Sequence, residues 1–168
     1  MPELTVALGI CFGGLITGAV TDYATGRLPN WLTFSMMALG IAIWTTQSDP
    51  LFALKGIGFA FAIHFPLFAL NVVRAGDAKL VMGAGALMGW VETFDLTIWY
   101  AVIYIPVGLG MLALKGRLGN LVRVAEKMAS KADDSEEEQE TELTYLRTGP
   151  IIAAAGFAAA FTDILNFA

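Results

Sequence analysis

Six apolar stretches, at about 4–21, 31–48, 51–72, 78–93, 95–114 and 149–167, fill most of the chain. That spacing is the strongest constraint on the fold. A helix needs roughly 20 mostly apolar residues to cross a bilayer. Within lipid, each backbone N–H and C=O must find its partner inside the protein. The alternation of a membrane barrel is missing, so the stretches predict helices. Composition agrees: 57% of residues are hydrophobic and 15% charged, with a mean hydropathy of +0.66. Soluble domains sit near 45–50% apolar and about 25% charged. The predicted fold class is an all-α polytopic membrane protein, six transmembrane helices forming one domain over 1–168. The opening "MPELTVALGI" has no Lys or Arg before its apolar run, so helix 1 is expected to be retained rather than cleaved as a signal.

Charge sets the expected orientation. Of ten Lys and Arg residues, only Lys55 falls outside three alternate breaks. Arg27 separates helices 1 and 2, and Arg74 and Lys79 flank the start of helix 4. Lys115, Arg117, Arg123, Lys127, Lys131 and Arg147 lie between helices 5 and 6. The positive-inside rule puts these breaks in the cytoplasm and both termini outside. In the loop 115–148, Leu118, Leu121, Val122, Ala125, Met128 and Ala129 recur at helical spacing. This predicts a basic amphipathic helix over 115–131 on the cytoplasmic leaflet. An acidic linker over 132–144 follows, and its run "DDSEEEQETE" carries much of the net charge of −5. No nucleic-acid partner is expected.

Two aspartates stand out. Asp22 closes helix 1. Helix 4 has a charge-free core only from Leu80 to Val91, so it recruits its flank and brings Asp77 to the same membrane face. Ionisable groups beside spans are functional candidates by default. Two carboxylates brought together do not both ionise easily, so one keeps a proton while the other acts as base. The base takes a proton from water attacking a peptide carbonyl, and the acid polarises the carbonyl oxygen. Plainer readings stay open: Asp22 as a cap, and Asp77 as a first-turn acid favoured by the helix dipole.

Asp77 lies in "NVVRAGDAKLVMGAGALMGW", residues 71–90, and Asp22 precedes Leu28-Pro29-Asn30-Trp31-Leu32-Thr33. A third segment, "LRTGPIIAAAG", spans 146–156. In these, the chain resembles the type IV prepilin peptidase family of membrane aspartyl proteases. Members carry an aspartate ahead of an Ile-Pro-Asn-like turn, a Gly-x-Gly-Asp-x-Lys motif, and a Gly-Pro-rich opening of the last helix. The resemblance implies that Asp22 and Asp77 are the catalytic pair and that Gly76 permits a close backbone approach. It implies that Pro29 and Asn30 set the turn into helix 2, and that Gly149 and Pro150 open the last helix. Lys79 is left with two readings, a charge tuning Asp77 or an anchor to phospholipid headgroups. Arg74 replaces the first motif glycine, and Leu28 replaces the usual Ile.

The cysteine-rich region of longer members, associated with N-methyltransferase activity, has no counterpart between helices 1 and 2. The chain therefore looks like the short form serving Flp, or tight-adherence, pili. The resemblance implies a peptidase without methyltransferase activity in the bacterial inner membrane, with its active site facing the cytoplasm. Its expected partners are the helix of a prepilin or pseudopilin and the lipid bilayer. No cofactor or metal is expected: two aspartates without a nearby His or Cys make a poor zinc set. Alternatives are an archaeal preflagellin peptidase, a transport subunit with acidic proton-relay residues, or an assembly subunit that has lost activity.

Other residues read as structural. Cys11 is a small buried hydrophobe, and His64 a buried, hydrogen-bonded imidazole. Gly9/Gly13, Gly14/Gly18 and Gly85/Gly89 are small pairs suited to close helix packing. Glu92 and Asp95 belong to the opposite face, and Trp44 and Trp90 suit interfacial belts.

Overall fold

The computed structural model describes residues 2–47, 49–69, 73–114 and 148–166. Among these, the elements are six helices: α1 (Pro2–Thr25), α2 (Asn30–Thr46), α3 (Pro50–Ala69), α4 (Ala75–Met88), α5 (Trp90–Leu114) and α6 (Gly149–Asn166). Two compact units result, Met1–Ile103 with Arg147–Ala168, and Tyr104–Leu146. Of the second, only the end of α5 from Tyr104 falls among the described residues. The amphipathic helix predicted over 115–131 and the linker over 132–144 lie outside them. Two helical segments are long and apolar enough to cross a membrane, Thr5–Thr25 and Pro50–Ala69.

Helix α4 is the centre of the first unit and packs against α1, α2, α3 and α6. Its sequence explains why. Gly83, Ala84, Gly85 and Ala86 give it a thin waist, which lets neighbouring backbones close in. A Cβ on Gly56 of α3 would fall on the Gly85 carbonyl oxygen, so this crossing exists only with glycine at both positions. Leu80, Val81, Leu87 and Met88 are fully or almost fully buried. At the far end the Trp44 indole N–H donates to the Leu87 carbonyl at 3.2 Å.

Boundaries moved where local geometry overrode hydropathy. Helix α4 begins three residues before the predicted 78 and stops at Met88, short of the predicted 93. Gly89 breaks it with φ at +92°, a backbone state that disfavours side chains. The Phe52 ring fills the place a Cβ would take there. The expected packing pair Gly85/Gly89 is thus one packing glycine and one chain break. At the other boundary, α1 runs past the predicted 21 to Thr25, so Asp22 sits in its last turns.

Helix α1 shows how the outer surface is built. Ala7, Cys11 and Leu15 form a fully buried stripe that continues to Asp22. Val6, Ile16 and Val20 point outward and are about half exposed. Phe34, Leu39, Phe61, Phe65, Ile98 and Val102 do the same on other helices. Apolar side chains on both core and outer faces are unusual for a helix facing water. Phe12 stacks on Phe157 at 4.6 Å between α1 and α6. His64 is buried, with Nδ1 3.0 Å from the Ala60 carbonyl oxygen.

Candidate active site

Three chain ends converge: the end of α1, the start of α4 and the start of α6. Helix α1 stops at Gly26, whose N–H donates to the Asp22 carbonyl at 2.8 Å. Its φ of +69° is the left-handed state in which helices commonly end. Pro29 then takes the extended N-cap position of α2, with Asn30 its first residue. Pro29 and Asn30 thus stand where the chain turns into α2. The loop between also supplies Leu28, which packs onto Gly76. A Cβ on Gly76 would lie 3.1 Å from the Leu28 Cβ. The surface that approaches Gly76 is therefore the α1–α2 connection.

Asp77 occupies the first turn of α4, with Arg74 at its extended N-cap. Both aspartates are 1% exposed. The start of α6 holds them together. The Thr148 hydroxyl donates to Asp77 Oδ1 at 2.6 Å. The next residue, Gly149, donates its N–H to Asp22 Oδ2 at 2.9 Å. A helix N-terminus carries unpaired N–H groups and positive dipole character, and a carboxylate satisfies both. Pro150, which has no N–H to leave unpaired in that first turn, fits the position. Gly149 is compulsory on steric grounds: a Cβ there would lie 2.7 Å from the Asp22 Cβ and 3.0 Å from the Gly18 carbonyl oxygen.

The surroundings of the pair are unequal. Arg74 Nη1 stands 4.0 Å from Asp22 Oδ1 and donates to the Gly26 carbonyl at 3.5 Å. Asp77 Oδ2 is buried and accepts no hydrogen bond from any described residue. The groups that act on the Asp77 carboxyl are the Thr148 hydroxyl, the Asp22 carboxylate, and Arg74 through both its guanidinium and its backbone N–H.

Lys79 goes elsewhere. Its Nζ donates to Asn30 Oδ1 at 3.0 Å and lies 5.5 Å over the Phe34 ring. The nearby cation acting on Asp77 is Arg74, the residue that departs from the motif glycine. Ala75, Ala78, Lys79 and Met82 form one stripe of α4 and line an apolar cavity of about 240 Å³ with Phe34 and Phe65. Asp77 is off that stripe by helical spacing. Glu92 lies beyond the opposite end of α4, on the order of 20 Å along the helix axis from Asp77.

Asp22, Asp77 and Gly149 are thus brought into one buried cluster, with Gly76 and Pro150 beside it and Lys79 and Asn30 paired outside it. Sequence reasoning passed over Thr148, whose only signal was its place directly before Gly-Pro. A geometry of two buried carboxylates, a hydroxyl, a helix start and a guanidinium suits acid–base hydrolysis. Comparison with curated proteins and with solved structures returns no match. A family model does match, over residues 9–109: the type IV leader peptidase family.

Proposed function

The chain belongs to the type IV leader peptidase family, and from that and the paired aspartates we propose a membrane-embedded aspartyl endopeptidase that removes the leader of Flp-type prepilins at the cytoplasmic face. The observation that carries the proposal is the grip of consecutive residues, Thr148 and Gly149, on Asp77 and Asp22. Six spans with both termini outside are part of the same reading. Two helical segments of spanning length and the outward apolar side chains support it, as does the placement of nine-tenths of the basic residues in alternate breaks.

The roles follow from the surroundings. Asp22, beside a backbone N–H and a guanidinium, is the base. It takes a proton from water as the water oxygen bonds to the scissile carbonyl carbon. Asp77, protonated, gives its proton to the carbonyl oxygen, producing a neutral gem-diol. Asp22 then passes its proton to the amide nitrogen as the C–N bond breaks. Asp77 recovers a proton from a gem-diol hydroxyl as the new carboxyl forms. Protons balance and the pair returns to its starting state.

The test is co-expression with a Flp-type prepilin, following leader removal by gel shift and mass spectrometry. Wild-type protein should cleave it, and Asp22→Ala and Asp77→Ala should not. Normal processing by either variant sinks the assignment. A preflagellin precursor assayed in parallel separates the archaeal alternative. Cleavage is expected to be indifferent to EDTA.

A further inference from the structure

We propose that Thr148 is a positioning residue that selects which oxygen of Asp77 reacts, and that Gly149 does the same for Asp22. This rests on the peptidase reading above. The Thr148 hydroxyl lies 2.6 Å from Asp77 Oδ1. Among the described residues its oxygen is bonded to Asp77 alone, and its residue is 4% exposed, so its proton is directed onto Oδ1. An oxygen that already accepts a short O–H bond is the poorer place for the carboxyl proton. The proton of neutral Asp77 is therefore carried by Oδ2, the buried oxygen with no hydrogen-bond donor among the described residues. Oδ2 is the atom left to meet a substrate carbonyl.

The same logic runs across to Asp22. Its Oδ2 accepts the Gly149 N–H at 2.9 Å, which leaves Oδ1, on the Arg74 side, to receive the proton from water. Because the two donors are consecutive residues of one helix start, α6 fixes both carboxylates in a single register. A shift of α6 would disturb both at once.

The charged groups around Asp77 are few. Helix α1 brings Asp22, with Tyr23 beside it and Glu3 at its far end; α4 brings Arg74 at its N-cap and Lys79, whose Nζ is bonded to Asn30. Helix α2 has no ionisable residue; α3 has Lys55 and His64, the latter bonded to Ala60. The start of α6 brings uncharged Gly149 and, just before it, Thr148, with Asp163 far along the helix. Loss of the Thr148 donor therefore changes Asp77 without removing a charge.

The experiment uses full-length protein in detergent with three substitutions, Thr148→Val, Thr148→Ser and Asp77→Asn. Thr148→Val keeps the shape and removes the donor. Its kcat is expected to fall about 10- to 100-fold while KM stays within a few-fold. The alkaline limb of its pH profile should move upward, because a donor favouring the ionised carboxylate is gone. Thr148→Ser should restore kcat to within a few-fold of wild type. Independently of cleavage, the infrared carbonyl band of protonated Asp77, identified by its loss in Asp77→Asn, should move to higher frequency in Thr148→Val. An unmoved band overturns the proposal, whether or not the protein cleaves prepilin. An unmoved kcat and pH limb in a protein that cleaves also overturns it. Cleavage that survives Asp77→Asn defeats the peptidase reading alone, and the band shift still decides the role of Thr148.

Discussion

Asp22 and Asp77 are equally buried and differ in nearly everything else. Asp22 receives a main-chain N–H from a helix start and stands 4.0 Å from a guanidinium. Asp77 receives the Thr148 hydroxyl on one oxygen and the influence of the Arg74 backbone N–H, and its Oδ2 has no hydrogen-bond partner among the described residues. Placing two identical side chains in unlike surroundings is how one pair supplies both an acid and a base. Depth of burial alone does not separate them; the donors do. Each donor is a single residue, so the contrast can be attacked one residue at a time.

The largest effect is expected from removing either proton carrier. Asp22→Asn and Asp77→Asn keep the shape and lose the titrating group, and each should lower kcat by roughly 10²- to 10⁴-fold. The double variant should be little worse than either single one, because residues acting as a unit are not additive. Kinetics on a prepilin substrate check this. A double variant whose loss is the product of the single losses would mean the two aspartates do not work as one dyad.

Gly149→Ala comes next. The new Cβ would meet the Asp22 Cβ at 2.7 Å and backbone atoms of Gly18 and Ala19 at 3.0 and 3.2 Å. Rigid backbone does not yield cheaply, so α6 must back away. A displacement approaching 1 Å at a reacting group costs about 10²-fold in rate. Overpacking also costs roughly 1–3 kcal/mol of stability. Steady-state rates with a thermal melt in detergent measure both. Full activity would mean that the α6 start does not set the register of the pair.

How much of this was legible in the sequence depends on the kind of signal. Helix existence was written in hydropathy, and all six expected stretches correspond to helices. The end of α4 was not, because Gly89 sits inside an apolar run and only the Phe52 ring against it reveals a break. The aspartates and Gly149 were legible through their local motifs. Thr148 was not: a threonine before Gly-Pro reads as an ordinary helix cap, and its partner is 71 residues away. From the sequence, Arg74 reads only as a replacement of the first motif glycine. Folding turns it into a cation beside Asp22, a relation between α1 and α4 that no local pattern encodes. Lys79 shows the reverse, since its proximity in sequence to Asp77 suggested a partnership and its Nζ goes to Asn30.

The smallest expected effect tests that exchange of cations. As the acid, Asp77 must carry its proton, which it loses as pH rises. With Asp77 as the acid, kcat/KM should fall on the alkaline side. A nearby cation favours the ionised carboxylate, so Arg74→Gly should move this limb upward. The move should be only a few tenths of a unit, because the guanidinium is 32% exposed and is screened by solvent and salt. Arg74→Gly also installs the glycine of the family motif, so the backbone has a residue suited to that position. Lys79→Ala should leave the limb where it is, since the ammonium is occupied by Asn30 and Phe34. Profiles of both variants at low ionic strength decide it: a limb that moves with Lys79 and not with Arg74 would return the tuning role to the motif lysine and remove the guanidinium from the contrast between the two aspartates.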